Sequence, residues 1–125
     1  PMAAQAIALA EAVNYLESCL EKHDNSLNEY SLERMKSING ISIYGNPPER
    51  TPIISFNIEG IHSLDLAHFL DYEGITIRSG HHCCQPLMQA LDITACARVS
   101  FYFYNSVEEV DFLVDKINKA VQVIK

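Results

Sequence analysis

A chain of 125 residues has the size of one compact domain, and a composition 48% hydrophobic and 20% charged leaves enough apolar material for a core. A net charge of -7, with nine scattered Lys and Arg, excludes the basic patch that nucleic-acid binders set against phosphate charge and disfavours a membrane-surface role. No apolar run approaches the roughly 20 residues of a membrane-spanning helix.

The first predicted element is a helix. Met2, Ala6, Leu9, Val13, Leu16 and Leu20 recur at spacings of four and three, which puts them on one face of a 3.6-residue period. "KHDNS" (22–26) breaks it, and Asn25 or Ser26 can cap a second helix over 27–38, with Leu27, Tyr30, Met35 and Ile38 as its apolar residues. Gly40 suits the left-handed C-cap. "ISIY" (41–44) alternates as a strand does, and the proline-rich 45–52 is a loop. "IISFNI" (53–58) reads as a buried strand, 63–73 as a helix with Leu66, Phe69 and Leu70 inward, and "ITIR" (75–78) as a short strand. A short helix at 86–91 begins on Pro86, where a missing N–H costs nothing. "RVSFYFYN" (98–105) alternates as a strand with Val99, Phe101 and Phe103 inward. Ser106 and Glu109 form a capping box for a last helix striped by Val110, Leu113, Val114, Ile117, Val121 and Ile124. The order predicts a single α+β domain over 1–125, a small, mainly antiparallel sheet with helices packed on it.

Pro1 and the stretch behind it have no initiator-like start and no signal-peptide pattern, and read as the interior of a longer chain. The expected compartment is the cytoplasm, where thiols stay reduced. Cys19, Cys83, Cys84 and Cys96 have no framework spacing and are expected as free thiols.

Chemistry concentrates in "IRSGHHCCQPLM" (77–88). Structural zinc needs ligand pairs that can turn onto one ion, and His81, His82, Cys83 and Cys84 are consecutive, so their side chains diverge; no metal site is expected. A disulfide between Cys83 and Cys84 would close a strained ring that a reducing compartment opposes. Two readings of the thiols stay open. Arg78, His81 and His82 supply charge and proton-transfer capacity beside a thiol on a glycine turn, as a nucleophile needs. Equally, the thiols are inert and the histidines make ordinary hydrogen bonds. Arg98, 15 residues after Cys83, is either a strand-end surface arginine or a fork for a carboxylate.

"RSGHHCCQPLM" (78–88) closely resembles the catalytic-cysteine segment of the Suf-type cysteine desulfurases, pyridoxal-phosphate (PLP) enzymes of the class V aminotransferase group. "SFNIEGIHSLDLAHFLDYEGITIRSGHHC" and "CARVSFYFYNSVEEVDFLV" extend the resemblance over nearly the whole chain, which looks like the smaller, C-terminal domain of a fold-type I PLP enzyme. The resemblance implies that Cys83 carries the persulfide, that Arg98 holds the substrate carboxylate, and that Arg78, His81 and His82 support the active-site loop. It further implies L-cysteine as substrate, L-alanine as product, a sulfur-acceptor protein of the Suf system serving iron–sulfur cluster assembly, and a homodimeric parent. Selenocysteine lyase activity is a close variant. Cys84 departs from the pattern, where a small residue such as alanine or threonine is expected. None of the five lysines follows a histidine as the cofactor's Schiff-base lysine does in this family, so the PLP-lysine domain is expected outside this chain and the chain alone is expected to be inactive. The alternative class is a non-enzymatic thiol carrier or a metal- or partner-binding module.

Overall fold

The computed structural model describes residues 2–20, 26–45, 47 and 50–124. The elements are α1 (Ala3–Leu20), α2 (Ser26–Lys36), β1 (Ile41–Tyr44), β2 (Ile53–Ile58), α3 (Ser63–Tyr72), β3 (Arg78–Gly80), α4 (Gln85–Ala90), β4 (Cys96–Ser100) and α5 (Val107–Ile124). The cap at Asn25 lies outside the described residues, as does most of the break at 22–26. The four strands form one antiparallel sheet in the order β1-β2-β4-β3. The fold is the α+β arrangement expected from the order of elements.

Alternation along the strands gives the sheet two unlike faces. One presents Ile41, Ile43, Ile54, Phe56, Ile58, Ala97 and Val99 to a core completed by α2, α3 and α5. Phe56, Leu70, Ile117 and Met35 are fully enclosed there. The other face carries Tyr44, Ser55, Asn57, Cys96, Arg98 and Arg78, and it is where the candidate site lies.

Polar clamps fix the helices on the core face. Arg34 Nε and the Tyr30 hydroxyl of α2 both donate to Asp111 Oδ1 of α5, at 2.6 and 2.8 Å. Lys116 and Lys119 of α5 donate to Glu73 at the end of α3. The capping box forms as the sequence requires: Ser106 Oγ accepts from the Glu109 N–H, and Glu109 Oε2 accepts from the Ser106 N–H.

Three expectations need correction. The strand anticipated at 75–78 lies at 78–80. Gly74, at φ 83°, ends α3 with its N–H bonded to Asp71 O, while the Ile75 N–H bonds to Leu70 O, a Schellman closure that takes Ile75 out of the ladder. The strand anticipated at 98–105 lies at 96–100. Asn105 Oδ1 accepts the Tyr102 N–H and the Asn105 N–H bonds to Tyr102 O, so the chain turns off the sheet despite its alternation. Finally, α1 forms, but its apolar stripe is not packed: none of its residues is buried, and Leu9 is 66% exposed. Its periodicity is satisfied as a helix and finds no cover among the described residues. No helix among the described residues is long and apolar enough to cross a membrane.

Candidate active site

The polar face of the sheet sets the site. Register places Tyr44, Ser55, Arg98 and Arg78 in one row, each opposite the next on β1, β2, β4 and β3. Arg98 is half-buried, and its Nε is buried without a hydrogen-bond partner among the described residues. A guanidinium N–H left unpaired in a dry position loses its water and gains nothing in return, which makes the atom a waiting donor for an anion. Asn57 stands beside the row, its Nδ2 donating to the Tyr44 hydroxyl and to Ala95 O.

The turn after β3 bends back over this face. Gly80 has φ 116°, and His82 and Cys83 follow at 53° and 56°. Two consecutive non-glycine residues in the left-handed region cost of order 1–3 kcal/mol each, and such strain clusters at functional sites. Specific bonds hold it. His82 Nε2 lies 3.1 Å from Cys96 O, and a carbonyl only accepts, so this nitrogen carries the proton. His81 Nδ1 accepts the Cys83 N–H at 3.1 Å, so its proton sits on Nε2 when the ring is neutral. The Cys84 N–H returns to His81 O at 2.9 Å, and α4 starts at once with Pro86 in its first turn.

Between turn, α4 and sheet lies a cavity of about 340 Å³. Ser55, Cys96 and Arg98 line it from the sheet, His82 and Cys84 from the turn, Leu87 from α4 and Leu91 from just past its end. Cys84 therefore faces the cavity. Cys83 is exposed and outside its lining. Cys96 is buried within β4, where burial pushes its thiol up from the ordinary value against the pull of Arg98, so it stays protonated and unreactive. Arg78, exposed at the sheet edge, stands opposite Arg98.

Of the residues singled out from sequence, the structure gathers His82 and Arg98 at the cavity, sets Arg78 next to Arg98, and leaves His81 and Cys83 outside the cavity lining, joined by the bond from the Cys83 N–H to His81 Nδ1. The two imidazoles serve different backbone partners. Among the described residues, no three His, Cys, Asp or Glu side chains come together in a way that could hold a metal ion. Sequence reasoning missed Tyr44, Ser55 and the Cys96 carbonyl. The alternation of β1 and β2 put the first two on the outer face, but only the strand register shows that they flank Arg98.

A model of the class-V aminotransferase family matches residues 1–113. The chain belongs to that family. It is 45% identical over 123 residues to a "Probable cysteine desulfurase" of Halalkalibacterium halodurans and 44% identical over 124 residues to one of Staphylococcus aureus, each alignment covering 95% of this chain. The chain spans about 30% of the length of these curated relatives. Among solved structures it resembles the apo cysteine desulfurase of Thermococcus onnurineus, with a TM-score of 0.87 and 32% identity over 98% of this chain and 32% of that one. It also resembles the cysteine desulfurase of Escherichia coli solved as an S-sulfonic acid, with a TM-score of 0.84 and 26% identity over all of this chain and 32% of that one.

The cofactor of this family does not fit the residues at hand. Lys36 is engaged by Glu33, Lys116 and Lys119 by Glu73, and no described lysine lines the cavity. Nothing among the described residues supplies the amine that PLP needs for covalent attachment.

Proposed function

We propose that this chain is the C-terminal domain of a cysteine desulfurase whose PLP-lysine domain lies elsewhere in the parent protein. The observation that carries the reading is the cavity that joins an arginine with a buried, unpaired Nε to a strained turn bearing two exposed thiols. The relatives and neighbours named cysteine desulfurases support it.

PLP held by the parent's other domain would supply the electron sink that makes the bond to the substrate sulfur breakable. Arg98 anchors the carboxylate of L-cysteine through its fork. The bond from His82 Nε2 to the Cys96 carbonyl fixes the His82 ring over the polar face of the sheet. The Cys83 thiolate would form a bond to the substrate sulfur as the substrate's C–S bond breaks, giving a persulfide on Cys83, while the electron pair left on the substrate carbon would take up a proton to give L-alanine. The Cys83 backbone N–H bonded to His81 holds the nucleophile's turn in its left-handed shape, and Arg78 adds positive charge at the sheet edge. The exposed position of Cys83 suits discharge to a separate protein, and a Suf-type sulfur acceptor for iron–sulfur assembly is the partner this implies. A homodimeric parent in the reducing cytoplasm completes the reading, and selenocysteine is a substrate of the same chemistry.

The test uses the full-length protein with PLP and L-cysteine. Alanine should form, Cys83→Ser should abolish it, and this chain alone should form none. Alanine production undiminished by Cys83→Ser would overturn the assignment.

A further inference from the structure

The sulfur chemistry proposed above assigns one thiol, yet the structure presents two. Cys83, at φ 56°, is exposed and does not line the cavity. Cys84, one residue on, has φ -132° and lines the cavity together with Arg98, His82 and the apolar side chains of α4. The two adjacent cysteines thus differ in place: Cys84 borders the cavity and Cys83 does not.

We propose that Cys84 is a second sulfur carrier, which takes the outer sulfur of the Cys83 persulfide and holds it against the cavity. The proposal rests on the desulfurase reading. The step is a thiol exchange. The Cys84 thiolate forms a bond to the outer sulfur, the bond from that sulfur to Cys83 breaks, and the electron pair leaves on the Cys83 thiolate. One thiolate replaces another, the hydrogen or charge on the outer sulfur is retained, and no oxidant is consumed.

Geometry favours this over a direct disulfide. A disulfide requires the two sulfurs about 2 Å apart, which forces neighbouring cysteines into a strained ring. In-line transfer of a bridging sulfur holds the terminal sulfurs about 4 Å apart, twice one S–S bond, in a ring one atom larger than the disulfide's. The two sites also differ in surroundings, although both cysteines are exposed. A persulfide on Cys83 stands outside the cavity, whereas one on Cys84 borders it together with Leu87, Leu91 and Arg98. Exposed Cys83 then loads and unloads, and Cys84 stores.

The experiment is peptide mass spectrometry on full-length protein incubated with PLP and L-cysteine, then alkylated, with alanine measured in parallel. One extra sulfur should appear on Cys83 and on Cys84. Cys84→Ser should confine it to Cys83, and Cys83→Ser should remove it from both. Extra sulfur on Cys84 in the Cys83→Ser protein would show that Cys84 is loaded by substrate directly and overturn the relay. Sulfur on Cys83 alone, or a Cys83–Cys84 disulfide with free sulfide, would also overturn it while alanine formation leaves the desulfurase reading standing. Absence of both alanine and added sulfur would bring down both.

Discussion

Arg78 and Arg98 are directly opposed on the antiparallel strands β3 and β4, so two guanidiniums leave the same face of the sheet side by side. Neither takes part in the ion pairs found among the described residues. Like charges directly opposed across a ladder destabilise it by about 0.2–1 kcal/mol. Arg78→Gln should therefore stabilise the chain by about that amount, more at low ionic strength than at high, because salt already screens an exposed pair. Denaturant midpoints of the two proteins in low and high salt measure it. A loss of stability that ignores salt would mean that Arg78 has an attractive partner instead.

Repulsion of this kind becomes useful when an anion arrives, and the buried, unpaired Nε of Arg98 gives that anion a fixed donor. In the full-length protein, Arg98→Lys keeps the charge and removes the fork. A charge-assisted hydrogen bond contributes about 1.5–3 kcal/mol, so kcat/KM for cysteine should fall roughly 10- to 100-fold. Steady-state alanine production gives the ratio, and a change of less than twofold would remove Arg98 from substrate binding.

Acid should act first on the clamps that hold α5. Hydrogen bonds from Lys116 and then Lys119 hold the Glu73 carboxyl below its ordinary value, and Arg34 followed by Tyr30 does the same for Asp111. A folded-state value below the unfolded one contributes stability that is complete above the ordinary carboxylate range and is lost as pH falls through the folded value. Melting temperature should hold steady near neutrality and drop on acidification below that range. Asp111→Asn with Glu73→Gln should lower the plateau and flatten the acid limb. An acid limb of unchanged slope in the double variant would place the acid-sensitive groups elsewhere.

Local rules made most of the fold legible: the stripe of α5, its capping box, the Gly74 stop and the alternation of β1 and β2 are each written in a few neighbouring residues. The misplacements came from hydrogen bonds that cross those windows. Asn105 reaches back to Tyr102 and ends β4 early, and the Ile75 N–H turns to Leu70 and delays β3. The site was legible as a motif but not as a geometry. The row Tyr44–Ser55–Arg98–Arg78 needs the register of four strands, and the split between Cys83 and Cys84 needs two left-handed residues that no glycine announces. The stripe of α1 obeyed its period without being buried, because periodicity specifies a face and not what covers it.

The cysteines should separate by reactivity. Cys83 and Cys84 are exposed, while Cys96 is 2% exposed in β4, and its raised thiol value leaves little thiolate at neutral pH. Iodoacetamide at neutral pH should modify the turn cysteines first. Cys96 should react only when β4 leaves the sheet, so its labelling rate should rise with urea in step with unfolding, while that of Cys83 should hardly depend on denaturant. Both thiols lie between Arg78 and Arg98, so tryptic mapping with fragment assignment follows them in one peptide. Labelling of Cys96 at the pace of Cys83 under native conditions would mean that the β3–β4 edge opens locally, which would remove the floor on which His82 and the thiol turn are held.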